Sequence, residues 1–144
     1  MSVKKEPPLM EEKKPTLIVL KGRFNILRLE KDSKMPSEVF ESDFFSITRT
    51  PDELSVVFRE SSVQSSIPSG IRAERGWSCL KVEGPPLDFS LTGILAGISS
   101  ALAEKRISIF TISTYDTDYI LVKETDLERA SEALANEGYK IRSP

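Results

Sequence analysis

The chain has 144 residues, with 20 Lys plus Arg against 22 Asp plus Glu and a formal charge of −2. That length suits one domain, or two very small ones sharing a core, and the even charge balance argues against a nucleic-acid footprint, which needs a basic excess on one face. With no histidine and one cysteine, Cys79, the chain lacks Ser–His–Asp and Cys–His catalysis, most zinc sites and any internal disulfide, and it suits a reducing compartment.

Residues 1–15 mix Lys, Glu and Pro and read as a disordered tail. They hold no hydrophobic signal core, and no apolar run approaches the roughly 18–20 residues of a membrane span. The expected location is the cytoplasm, with no membrane contact. Thr16 to Glu30 (TLIVLKGRFNILRLE) reads as one or two strands punctuated by Gly22. Lys31 to Pro36 is a polar connection. Phe44 to Arg49 predicts a strand, Thr50-Pro51-Asp52-Glu53 a turn, and Leu54 to Phe58 the returning strand. Ser61 to Gly70 is rich in turn formers and marks an internal boundary.

Trp77 to Val82 (WSCLKV) alternates apolar and polar side chains and predicts a strand, stopped by Gly84-Pro85-Pro86. Leu91, Ile94, Leu95, Ile98 and Leu102 form the stripe of an amphipathic helix, with Ser90 or Asp88 as its cap. Ile107 to Ser113 is a strand, Thr114 to Thr117 a turn and Asp118 to Lys123 the return. Thr125 to Glu128 fits a capping box with Thr125 as N-cap. Leu127, Ala130 and Leu134 line the next helix, Gly138 stops it, and Tyr139 to Arg142 closes as a short strand. The order strand, helix, strand, strand, helix, strand is the α+β ferredoxin-like βαββαβ sandwich. Both helices lie on one face of such a sheet, so the other face needs a cover from a second sheet or a second copy.

Shifting the chain by 65 residues lays FSITRTPDELSVVF (45–58) on FTISTYDTDYILVK (110–123). Phe45 then meets Phe110, Ile47 meets Ile112 and Val57 meets Val122. Phe24 to Leu29 is the counterpart of Trp77 to Val82. The gap between the paired segments is shorter in the first copy. The chain therefore reads as two repeats, 16–70 and 71–144, the first degenerate, with a truncated or missing first helix.

Enzyme chemistry has little support. Asp116 and Asp118 could form a carboxylate pair, but no histidine stands with them, and Asp is a favoured turn residue. Cys79 sits mid-strand between apolar neighbours and reads as a small buried residue. No phosphate-binding glycine loop is present. Gly93 and Gly97 form a G-x-x-x-G that allows close packing on the helix.

A binding site is better supported. Thr92, Gly93 and Ile94 lie where a strand gives way to a helix, and free backbone N–H groups there can hold a carboxylate. Asp118 can pair with an ammonium or guanidinium, with the hydroxyls of Ser113, Thr114 and Tyr115 nearby. An anion site facing a carboxylate is what a free amino acid requires. The competing reading makes Gly93 and Ser90 mere cap residues.

The segment Ile112 to Val122 (ISTYDTDYILV) resembles the signature hairpin of the CASTOR-type ACT-domain proteins. FFSITRTPDELSVVF and GWSCLKVEGPPLDFSLTGILAGISSALAEKRISIF add to the resemblance, which spans residues 17–142. It implies a non-enzymatic regulatory module with no cofactor, made of two tandem ACT-like repeats. It also implies an amino acid, basic or amino-bearing, held at a domain or subunit interface. Ser108 and Ile109 match a strand start on one side of that interface. Gly93, Thr114, Tyr115, Thr117 and Asp118 match the other side, where the matched aspartate contacts the guanidinium of arginine. In a single unit the two sides come from two chains, which implies a symmetric homodimer. Thr117 departs from the pattern, because the arginine sensors carry an aromatic residue near it. The alternative is a protein–protein interaction module of the same fold without a small-molecule ligand.

Overall fold

The computed structural model describes residues 14–61, 71–84 and 93–144. Its strands are β1 (Thr16–Val19), β2 (Phe24–Leu29), β3 (Phe45–Arg49), β4 (Leu54–Arg59), β5 (Arg72–Glu83), β6 (Ile109–Ser113), β7 (Asp118–Lys123) and β8 (Lys140–Arg142). Its helices are α1 (Ser37–Glu41), α2 (Ile94–Glu104) and α3 (Leu127–Asn136), the last preceded by a 3-10 turn over Glu124–Asp126. The expected tail over 1–13 and the boundary segment over 62–70 lie outside the described residues. Lys14 is described: its Nζ donates to the Glu137 carbonyl and stands 5.0 Å over the Tyr139 ring.

A long antiparallel ribbon forms the spine. β1 and β2 run one after the other along the same edge of β5, with Thr16 opposite Glu83, Phe24 opposite Trp77 and Arg28 opposite Arg72. The register of β2 on β5 shifts between Phe24 and Ile26, and in the link from β1 Leu20 N–H donates to the Cys79 carbonyl at 2.8 Å. β5 is longer than the alternation of Trp77 to Val82 suggests. Its first residues (RAER) are exposed and charged, so no pattern marks them; pairing with β2 makes them strand.

Each half of the spine carries one repeat. On the first half, β2 pairs β4 and β4 pairs β3, with the start of β5 as fourth strand. On the second half, β5 pairs β7 and β7 pairs β6. β1 lies between β5 and β8, antiparallel to the first and parallel to the second. This is the ferredoxin-like strand order of the second repeat, with β1 inserted.

Three apolar clusters hold these layers. α2 and α3 cover one face of the second repeat through Leu80, Val82, Ile98, Leu102, Ile120, Val122 and Leu134. The cover on the opposite face is the first repeat: Phe24 and Val57 pack with Trp77, Cys79 and Leu121, and Phe44 meets Tyr119 edge-on with centroids 5.0 Å apart. The third cluster, Leu27, Leu29, Val39, Leu54, Val56 and Phe58, lies under α1. The first helix of the first repeat is thus truncated to 5 residues, against 11 in α2.

Pairing corrects the repeat alignment. β3 lies 64 residues before β6, and β4 lies 64 before β7. Phe45 pairs with Phe58 as Ile109 pairs with Val122, and Arg49 with Leu54 as Ser113 with Asp118. The shift of 65 maximises matching side-chain types but puts them on opposite faces of the sheet, because a strand alternates with period two.

Two terminal signals also change. α3 starts at Leu127 behind Asp126, with no side-chain cap hydrogen bond, so Thr125 and Glu128 do not form a capping box. The 3-10 turn uses Thr125 instead. On α2, Gly97 leaves room for a neighbour: a Cβ there would meet the Tyr139 hydroxyl oxygen at 2.7 Å.

Candidate functional site

The turn after β6 is built by threonine. Thr114 N–H donates to the Thr117 carbonyl at 2.9 Å, and the Thr114 hydroxyl reaches the same carbonyl at 3.0 Å. Thr117 N–H donates back to Thr114 Oγ1 at 3.3 Å. Thr117 is buried, and its hydroxyl donates to the Val82 carbonyl at 2.6 Å. This bond pins the hairpin tip to the end of β5, where the chain leaves for α2. The sequence singled Thr117 out only as a departure from a pattern. Thr50 forms the same turn, with its N–H donating to the Glu53 carbonyl at 2.9 Å, but a glutamate stands there in place of Thr117, so the repeat gives no signal for the Thr117 hydroxyl bond.

Asp118 is the first residue of β7, half-buried, opposite Ser113. It shares a face with Ile120 and Val122, which pack against α2 and α3. The N-terminus of α2 lies toward this same end. Its C-terminus leads within a few residues to Ile109, which pairs with Val122 at the far end of the hairpin. The hairpin tip and Asp118 thus lie at the end of β5, on the sheet face that α2 and α3 cover.

Gly93 holds the N-cap position of α2 with φ +91, and among the described residues no side chain caps the first turn. A Cβ at Gly93 would meet nothing within 4 Å, so the glycine is required by its left-handed backbone and not by crowding. Its carbonyl accepts the Gly97 N–H at 2.9 Å. Ile94 follows as the first helical residue, half-buried against the core. Thr92, with Asp88, Ser90 and Leu91, lies outside the described residues.

The remaining candidates divide. Ser113 and Thr114 flank the hairpin tip, and the Thr114 hydroxyl is committed to the turn. Tyr115 stands at the tip, 79% exposed. Ser108 and Ile109 sit at the opposite end of β6, about 13 Å along the strand from Ser113 at 3.3 Å per residue. Within one chain they do not join the others.

Cys79 is fully buried, and burial pushes its thiol up to about 12, with the Arg59 guanidinium pulling the other way. Such a thiol is no nucleophile near neutral pH.

An ACT-domain family model matches residues 72–136, and a model described as an N-terminal domain matches residues 22–71. A crystal structure of an Agobacterium tumefaciens protein is 38% identical, with a TM-score of 0.80 over 91% of this chain and 94% of that one. The human cytosolic arginine sensor for mTORC1 subunit 1 is 35% identical over 100 residues, 65% of this chain and 30% of the sensor. The chain belongs to the ACT-domain family as a CASTOR-like member. It spans about a third of the length of the arginine sensors it matches. Escherichia coli aspartokinase III, in complex with aspartate and ADP, shares the fold at 15% identity and a TM-score of 0.56, over 83% of this chain and 32% of that one.

Among the described residues, no helix of this CASTOR-like chain is long and apolar enough to cross a membrane.

Proposed function

We propose that this CASTOR-like chain is a non-enzymatic, cytoplasmic regulatory module that binds an amino acid, its two repeats being residues 16–70 and 71–144. The observation that supports the reading is the left-handed Gly93 helix start and the half-buried Asp118 beside the Thr117 turn of the second repeat, in a chain 35% identical over 100 residues to an arginine sensor. The N–H groups of the first turn from Gly93 onward, at the Thr92-Gly93-Ile94 entry of the helix, hold the carboxylate. Asp118 reads a positive side chain or the ammonium group. Ser113 and Tyr115 border the pocket, and Thr114 sets its shape through the turn. Ser108 and Ile109 of a second copy supply main-chain contacts along β6, which makes the working unit a homodimer with two sites. No metal, cofactor or nucleic acid enters this scheme.

Calorimetry against the twenty amino acids tests it. A basic amino acid is expected to bind, and Asp118→Asn to weaken it by about 10- to 100-fold, the worth of one charge-assisted hydrogen bond. If no amino acid binds at millimolar concentration, the sensor reading is wrong and the fold serves as an interaction module alone.

A further inference from the structure

Among the described residues, one non-glycine residue has a left-handed backbone: Arg106, with φ 56. It stands just past α2, where the helix closes in a Schellman motif. Arg106 N–H donates to the Ala103 carbonyl at 2.9 Å, and Ile107 N–H to the Leu102 carbonyl at 3.1 Å. α3 ends with the same pair of bonds, Gly138 N–H to the Ala135 carbonyl at 3.0 Å and Tyr139 N–H to the Leu134 carbonyl at 3.1 Å. There the left-handed residue is a glycine, with φ 95. Glycine takes that backbone without strain and arginine does not. One geometry is thus built twice, and the arginine is the costly solution.

Nothing within the chain accounts for that arginine. Arg106 is exposed, and among the described residues its side chain makes no hydrogen bond or ion pair. The helix end is served by others: Arg129 donates to the Lys105 carbonyl at 3.2 Å, and Lys105 itself places a cation at the negative end of the helix dipole. Strain kept without an internal contact points to a role outside the chain. Arg106 also stands two residues ahead of Ser108, which is exposed as well, with Ile107 buried between them.

We propose that Arg106 is a ligand-binding residue whose guanidinium holds the carboxylate of an amino acid seated against a second copy of the chain. The inference rests on the two-copy site proposed above, to which the second copy brings Ser108 and Ile109. Within one chain Arg106 and Asp118 lie toward opposite ends of the β6–β7 hairpin, so one amino acid does not reach both. Across two copies it does. A basic amino acid carries a single anionic group, and the planar guanidinium fork matches a carboxylate with two parallel bonds. The N–H groups of the Gly93 turn hold that group from one copy and Arg106 from the other, while Asp118 takes the positive side chain.

Calorimetry and melting of the full chain test it, with L-arginine, L-lysine and their α-amides as probes. The wild-type chain is expected to bind at least one of the two amino acids, and to bind the matching amide about tenfold or more weakly. Arg106→Gly is expected to raise Tm by about 2–4 °C, because the strain is gone. The same change should weaken the amino acid by about 10- to 100-fold and spare the amide. Arg106→Gln loses the charge and keeps the strain, so it should show the loss of affinity with no rise in Tm. Asp118→Asn should weaken acid and amide alike. Equal affinity of the wild type and Arg106→Gly for the amino acid overturns the proposal and leaves the amino-acid reading standing. So does a loss shared equally by acid and amide. A fall in Tm on Arg106→Gly removes the strain argument and overturns the proposal too. A wild-type chain that binds none of the four probes removes the basic-amino-acid reading, and the role of Arg106 falls with it.

Discussion

At the first position after each hairpin turn the two repeats part company. The turns themselves are the same object: Thr50 and Thr114 each donate a backbone N–H to a carbonyl three residues on, at 2.9 Å. The next residue is Leu54 in the first repeat, buried in the core under α1, and Asp118 in the second, half-buried at the start of β7. Glu53, which the shift of 65 sets against Asp118, corresponds to Thr117. The first repeat therefore has a leucine where the second has its candidate ligand carboxylate, and a 5-residue helix where the second has one of 11. One scaffold has given its hairpin end to packing in one copy and to polar chemistry in the other.

Exchanging these residues is the strongest way to break the comparison. Leu54→Asp buries a carboxylate among Leu29, Val56 and Phe58 and is expected to cost more than about 3 kcal/mol in denaturant unfolding. Asp118→Leu, at a half-buried position, is expected to change stability by less than about 1 kcal/mol while abolishing ligand binding. A similar cost for both would mean that the two hairpin ends are equally packed.

Thr117→Val keeps the shape and leaves the Val82 carbonyl without its hydroxyl donor. The expected loss is about 1–3 kcal/mol, and amide exchange at the hairpin tip should quicken with it. The corresponding Glu53→Ala should cost less, since Glu53 shows no comparable side-chain bond among the described residues.

Cys79 corresponds to Ile26 in the first repeat, and only the cysteine titrates. Its thiol pKa is raised from 9.0 to about 12 in the folded chain, chiefly by burial. Raised acids stabilise the fold below the unfolded pKa and lose that contribution as pH climbs toward the folded one. Stability should therefore fall by roughly 1.4 kcal/mol per pH unit above 9 from this group. Cys79→Ala should flatten that part of the profile. Tyr139, also raised by burial, acts in the same direction.

The smallest effect concerns α2, for which α1 has no equivalent surface. Gly97→Ala gains helix propensity but sets a Cβ 2.7 Å from the Tyr139 hydroxyl oxygen. A net loss near 1 kcal/mol is expected. Tyr139→Phe in the same chain should turn that loss into a gain, measured by a double-mutant cycle of melts.

The hairpins, the stripe of α2 and the face of α3 were legible, because turn chemistry and apolar period are local properties. The truncated first helix was legible from the short gap between Leu29 and Phe45. The chemistry of the candidate site was legible in the G-I-L start of α2 and in Asp118. Thr117 was not, since a threonine in a turn reads as solvated until its hydroxyl is seen on Val82. Arg72 to Arg75 gave no strand signal for the same kind of reason: exposed charges become strand only when β2 lies alongside.

Composition and periodicity alone marked most of the strands and the two longer helices, and that two copies of one motif follow each other. They could not set the register of one copy on the other, because a slip of one residue keeps the side-chain types while exchanging the faces. Nor could they seat Thr16–Val19 between β5 and β8, or place the first repeat over the second through Phe24, Phe44 and Tyr119. Those choices depend on contacts between residues far apart in the chain, and it is they that decide that Leu54 is buried and Asp118 stands at the rim.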